Sequence, residues 1–178
     1  KNGGYTWNWL PFLWQNGGEF LNDDRTEATF NSPEGVEALE FWKKMVQEDK
    51  SVPLQAAPTG VNRFTSGITA MVIDGPWNLS TFLSDPEFKD KFGVAPLPQK
   101  KTQATVVGGE GVVVFSNTKS PQEAYDYLVH LTCSDFVQTF WENWITIPPQ
   151  PEFKDFYAND SEYGPYIQVF SDQMEYSR

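Results

Sequence analysis

Trp77 stands where an indole can do more than fill a core. It follows Asp74-Gly75-Pro76, a sharp break after Ile68 to Ile73. That run is apolar except for the β-branched Thr69 and reads as a strand. The break delivers Trp77 to the start of a short helix through Phe82, a place where an indole can stay half uncovered. Two readings of Trp77 stand level on these residues: a hydrophobic plug, or a flat surface for a ligand. A second aromatic set is Trp7, Trp9 and Trp14, in a stretch that begins extended. Trp7 and Trp9 are two residues apart, so on a strand they share a face. A third feature is Glu110, set in Gly108-Gly109-Glu110-Gly111, a loop or bulge whose backbone can approach a ligand closely. Aromatic faces opposite fixed polar groups suit a sugar: the C–H face of the ring packs on indole, and its hydroxyls need donors and acceptors. Asp74, Asn78, Glu110, Asn8 and Gln15 are placed to supply those.

Other chemistries find less support. Glycoside hydrolysis needs two carboxylates about 5–9.5 Å apart across the scissile bond, and Glu110 has no partner marked by sequence. Neither G-x-x-x-x-G-K-[ST] nor G-x-G-x-x-G occurs, so no phosphate loop is expected. The polar turn Asn22 to Thr26 lacks the spaced ligands, glycine and later glutamate of a calcium loop. His130 and Cys133 are each the single residue of their type. That excludes His-rich metal sites and internal disulfides, so neither a metal nor a cofactor is expected. Cys133 reads as a small buried or helix-end residue. Thirteen basic residues against twenty-four acidic ones, a net charge of −11, argue against nucleic acid and against an anionic membrane surface. No run of about eighteen apolar residues occurs. Asn78-Leu79-Ser80 and Asn159-Asp160-Ser161 match the N-glycosylation pattern, which is common by chance.

The 178 residues suffice for a core without disulfide staples, and 16% of them are aromatic. Most of those rings must pack inside; the excess of tryptophan points to a stacking surface. After its extended start, the first segment turns helical toward Gln15, and Gly17-Gly18 ends it. Ser32, Pro33 and Glu34 supply a cap, a first-turn proline and a dipole partner for a helix. Its expected inward stripe is Val36, Leu39, Trp42 and Val46, flanked by Phe41 and Met45, which makes Trp42 a core residue. "NRFTSG" ends a short helix, with Gly67 in the left-handed position. "FGVAPLP" reads as a strand closed by Pro98, residues 99 to 105 as a mobile connector, and "VVGGEGVVVFSN" as two β-branched runs. Ser120, Pro121 and Glu123 form a capping box for a further helix. A helix from Ser134, a Pro-rich connector, a short helix near 152–158 and a last helix with Tyr166, Ile167, Phe170 and Met174 inward complete the chain. Strands alternating with helices give the α/β class. The chain starts at Lys1 and its first residues read as the middle of a longer protein.

Six stretches carry a resemblance: "WQNGGEFLND", "ATFNSPEGVEALEFWKKMV", "RFTSGITAMVIDGPWNLSTF", "FGVAPLP", "VVGGEGVVVFSNTKSPQEAYDYLVHLT" and "FSDQMEYSR". In this order they resemble bacterial extracellular sugar-binding proteins of ATP-driven (ABC) importers, the solute-binding group that includes maltose-binding protein. The resemblance implies a type II periplasmic-binding-protein-like fold, here partial: mainly the C-terminal lobe plus segments of the first lobe. It assigns residues 1–98 to the second lobe, 99–150 to a segment crossing the hinge to the first lobe, and 151–178 to return helices of the second. Intact members are longer, and most of the first lobe and the C-terminal tail have no counterpart here. Segments lacking their partners would expose apolar surface and sheet edges, so self-association of this chain with a second copy is expected.

The resemblance implies that Trp77 stacks on the sugar and that Gly109 and Glu110 line the cleft between lobes. Trp7 and Trp9 fall near a ligand-contacting segment, in a looser register. Many relatives carry tryptophan where this chain has Glu110. The expected function is capture of an oligosaccharide of maltose or maltodextrin type. Its partner would be a membrane permease, and its place the cell surface or periplasm, with a lipid anchor among the family's usual features. No catalysis is expected. The alternative from another class is a glycan-active enzyme or a carbohydrate-binding module. A protein–protein interaction domain with an aromatic patch is a third.

Overall fold

The computed structural model describes residues 3–53, 58–109, 111–133, 136–150, 153 and 155–178. Their helices are α1 (Gly3–Gln15), α2 (Pro33–Gln47), α3 (Leu79–Leu83), α4 (Pro121–Cys133), α5 (Phe136–Trp144) and α6 (Gly164–Gln173). Single 3₁₀ turns, Pro76–Asn78 and Met174–Tyr176, precede α3 and follow α6. The chain forms two compact units. One comprises Lys1–Ile73, Ala95–Val107 and Asp172–Arg178; the other comprises Asp74–Val94 and Gly108–Ser171.

In the first unit α1 packs against α2. The expected extended start is helical instead, from Gly3 onward and through Pro11. Trp9 and Leu13, four apart and so on one helical face, enter the core with Ala38 of α2. Leu10, Phe12, Phe20 and Trp42 pack around them. Helical geometry also separates Trp7 from Trp9: Trp7 is exposed and Trp9 buried. Gly17 and Gly18 end α1 as expected. Gly17, at φ +85°, donates to the Trp14 carbonyl and Gly18 to that of Leu13, the paired bonds of a glycine-terminated helix.

The start of α2 follows its sequence: Ser32 is the cap, its hydroxyl accepting from the Gly35 amide at 3.2 Å, with Pro33 at the first position. The buried face does not. Gly35 and Ala38 turn inward and Trp42 packs beside them, whereas Val36, Leu39 and Phe41 are about half exposed. A side chain on Gly35 would strike the Phe30 carbonyl, so the small residues set the approach and the larger ones are turned away.

The connector at 99–105 is tied down rather than loose. Lys101 and Thr102 donate to the Gln15 carbonyl at 2.9 and 3.2 Å, and the Gln15 side chain donates back to Ala104 at 2.9 Å. The Thr105 amide donates to the Tyr176 carbonyl and the Arg178 amide to that of Thr105, around a parallel bridge between Thr105 and Ser177. Lys100 pairs with Glu37 at 2.6 Å, and with the Asn16 amide it holds that carboxyl below its ordinary range.

The second unit centres on Leu79, Ile145, Tyr157 and Ile167, with Leu83, Phe92, Tyr166 and Phe170 around them. Phe82, Phe88, Phe92 and Tyr166 form a chain of ring contacts at 5.1–5.9 Å. The last helix thus buries the residue expected of it, Ile167. α4 begins at Pro121 as read, but without a capping box: the Ser120 amide donates to the Thr118 hydroxyl at 3.3 Å, not to Glu123. Ser134 lies outside the described residues, and α5 runs from Phe136. Residues 155–159 are turns, not the expected helix; Pro151, Glu152 and Lys154 lie outside the description. Residues 63–67 are likewise turn, with Gly67 left-handed at φ +73° as predicted. Cys133 is exposed and is the last residue of α4, the helix-end place read for it from sequence.

The Tyr157 hydroxyl donates to the Trp141 carbonyl at 2.6 Å. Burial pushes Tyr157 from 10.0 up to about 12, partly offset by the Thr146 backbone. Because the folded value is raised, this contribution to stability is complete below about pH 10 and is lost as pH rises through about 12. Tyr157→Phe should cost about 1 kcal/mol near neutrality, since Ile145 still donates to the Trp141 carbonyl. The variant should also lose less stability than the parent across that alkaline window. Denaturation midpoints against pH measure both; parallel curves would contradict the assignment.

No sheet forms among the described residues, whose only β pairings are the isolated bridges Leu21–Ala28 and Thr105–Ser177. The expected strands at 68–73, 92–98 and either side of Glu110 run without ladder partners. A strand is held by bonds to a neighbour, and here none is alongside. The apolar side chains of the first and last of these are exposed, Met71 at 86% and Phe115 at 73%, whereas Phe92 and Val94 pack on the core of the second unit. The expected pairing with a second copy would draw on this surface.

Candidate functional site

The turn before α3 is built from both sides. Pro76 and Leu79 are buried, Leu79 at 2%, and flank Trp77, which is 48% exposed. Between these anchors the indole stays half exposed, so Trp77 is not a fully buried plug. Its six-membered ring lies over the Gly75 backbone: a methyl group on Gly75 would overlap Cε3, Cζ3 and Cη2. Gly75 itself is extended, at φ −116° and ψ 177°, a conformation open to any residue. Glycine is needed there for close approach, a role that reading it as a plain turn residue missed. The signal available was its position two before a tryptophan.

Asp74 closes the turn. Its Oδ1 accepts from the Gly75 amide at 2.9 Å and its Oδ2 from Asn78 Nδ2 at 2.6 Å. The structure therefore gathers Asp74, Trp77 and Asn78 into one turn, with one indole face against Gly75. Both Asp74 oxygens are engaged inside it.

The other expected residues are placed separately. Gly109 is exposed with open space about it, and Glu110 lies outside the described residues. Trp7, 37% exposed, and Asn8 sit on α1 in the first unit. Trp9, 8% exposed, packs edge-on against Phe30 at 6.2 Å, and Trp14 is buried. Trp9 thus belongs to the core of its unit, and the shared strand face with Trp7 does not exist. Gln15 is buried and committed to Ala104. A groove of about 640 Å³ in the first unit is lined by Phe12, Asn16, Glu37, Phe41 and Lys100, none of them expected from sequence as contacts. Among the described residues no group of three or more His, Cys, Asp or Glu is arranged to hold a metal ion, and no helix is long and apolar enough to cross a membrane.

The family model described as bacterial extracellular solute-binding protein matches residues 3–165. A lactose-binding protein of Rhizobium radiobacter is 27% identical over 131 residues, 71% of this chain and 31% of that protein. The cyclic alpha-maltosyl-1,6-maltose binding protein of Arthrobacter globiformis is 29% identical, with a TM-score of 0.67 over 98% of this chain and 44% of that one. An ABC transporter solute binding protein of Thermotoga lettingae, solved with alpha-D-tagatose, is 28% identical, with a TM-score of 0.71 over 92% of this chain and 44% of that one. The solved neighbours have the type II periplasmic-binding architecture, which carries the expected α/β class. The chain spans 40% or less of the length of these curated relatives. With nearly its whole length inside the family model, the chain belongs to the bacterial extracellular solute-binding proteins.

Proposed function

We propose that this chain is the part of a carbohydrate-binding protein for ABC-type uptake that presents Trp77 to the sugar. The observation that carries the reading is an indole anchored by buried neighbours, half exposed, with one face against backbone. An aromatic plane offers a pyranose its C–H face contact without demanding a particular pattern of hydroxyls. Family membership and relatives named for lactose, maltodextrin and cyclic maltosyl-maltose support a sugar as the cargo. Gly109, Glu110 and Trp7 are proposed as further contacts in the intact protein, which would hand its sugar to a membrane permease from the cell surface or periplasm. Asp74 and Asn78 take a different part, holding the turn rather than the sugar. The protein is proposed to carry sugar unchanged.

Calorimetry of the intact protein against maltose, maltotriose, lactose and tagatose tests this. At least one should bind and be recovered chemically intact. Release of shortened products would establish a glycan-active enzyme instead, and the absence of any heat or thermal shift would sink the sugar reading.

A further inference from the structure

We propose that Asp74 and Asn78 are positioning residues: they do not touch the sugar but lock the turn that lays Trp77 on Gly75. The binding part of this inference rests on the sugar reading above; the locking part does not. Asp74 has two carboxylate oxygens, and each accepts a bond inside the turn, one from the Gly75 amide at 2.9 Å and one from Asn78 Nδ2 at 2.6 Å. The first bond fixes the peptide on which the indole rests. The second spans the 3₁₀ turn from the residue before Gly75 to the residue after Trp77, and so closes a ring around both. The backbone bond across the same turn, from the Asn78 amide to the Gly75 carbonyl, is long at 3.5 Å. The side-chain bond is therefore the shorter of the two closures, and charge-assisted. Without it the Trp77 rotamer is held by packing on one side only, and its ordering would fall on the binding step.

The pair can be exchanged. With Asp74→Asn and Asn78→Asp together, Asn Oδ1 at 74 still accepts from Gly75, while its Nδ2 now donates to the carboxylate at 78. The lock is kept with its sense reversed, whereas a sugar contact by either side chain would meet the wrong group.

The test has a ligand-free arm and a binding arm. In the parent chain the Gly75 Hα that occupies the Cβ position lies under the indole, and its NMR resonance should be shifted upfield by the ring current. That shift should vanish in Trp77→Leu, shrink strongly in Asp74→Ala and Asn78→Ala, and return in the exchanged pair. In the intact protein, with maltose and lactose as probes, each alanine variant should lose about tenfold in affinity, the scale of one net hydrogen bond to a charged group, and the exchanged pair should regain most of it. Weakened binding with the Gly75 shift unchanged would make Asp74 or Asn78 a direct contact and overturn the proposal. So would an exchanged pair that restores neither readout. If the NMR pattern holds while no probe sugar binds the parent, the lock stands and the sugar reading fails. Thermal midpoints of all variants exclude loss of folding as the cause.

Discussion

Trp77→Ala in the intact protein is expected to weaken sugar binding about tenfold to a hundredfold, the cost of truncating an aromatic anchor at the centre of a contact. The effect on stability should be small, because the side chain is half exposed and the turn is anchored by Pro76 and Leu79. Gly75→Ala should cause a loss of the same order while leaving the indole in place chemically. The backbone at φ −116° and ψ 177° accepts alanine without strain, so the substitution acts through its methyl group alone. That methyl would overlap three ring atoms of Trp77 and force the indole off its seat. Calorimetry measures both, and indole fluorescence reports the displaced ring. Unchanged affinity in Trp77→Ala would remove Trp77 from the site. A large loss in Trp77→Ala with none in Gly75→Ala would show that the seat on Gly75 is dispensable.

Leu13→Ala should be the most destabilising single change in the first unit. Leu13 is fully buried, and its Cδ1 sits between two glycines. A Cβ on Gly18 would fall 2.5 Å from that atom, and one on Gly35 would fall 3.4 Å from it. Leu13 therefore fills a socket with glycine backbone on two sides. Such a socket has few side chains able to collapse into a void, which places the cost toward the upper part of the range of about 2–5 kcal/mol for buried leucine truncation. Against a domain stability of roughly 5–15 kcal/mol, that is enough to open the α1–α2 pair. Gly18→Ala and Gly35→Ala should destabilise from the opposite side by overfilling. Gly35→Ala is the worse of the two, because it meets the Phe30 carbonyl rather than a side chain. Leu13→Ala combined with Gly18→Ala should recover part of the loss, since the second methyl enters the space the first vacates. Urea midpoints of the chain measure the series; a midpoint in Leu13→Ala equal to that of the parent would refute the socket.

The gap between sequence and structure follows one physical line. Features legible in advance are those whose partners lie within a few residues. Ser32 caps the Gly35 amide three positions on, Gly17 and Gly18 close α1 onto Trp14 and Leu13, and Gly67 takes its left-handed turn. The Gly-Pro-Trp break and the short helix after it are equally local, and they form as read. The face of α2 was misread because hydrophobic weight favours Val36 and Leu39. Close helix approach instead selects Gly35 and Ala38, and only α1 alongside makes that visible. The segment around Trp7 and Trp9 was read as extended, being aromatic and interrupted by Pro11. Burial of Trp9 and Leu13 on one helical face outweighs that local preference.

By itself, then, the sequence determined the helix starts and stops, the sharp turn that carries Trp77, the acidic character that argues against nucleic acid, and the ordered motifs of the solute-binding family. Tertiary structure decided what depends on a distant partner. Trp9 is core while Trp7 is exposed, residues 99–105 are tied to Gln15, and the apolar runs at 68–73 and 111–115 stay unpaired. It also decided how Trp77 is held, since both oxygens of Asp74 are engaged inside the turn. Caps and turns satisfy their hydrogen bonds within the same few residues. Faces, ladders and ring seats are settled only by the group that arrives opposite.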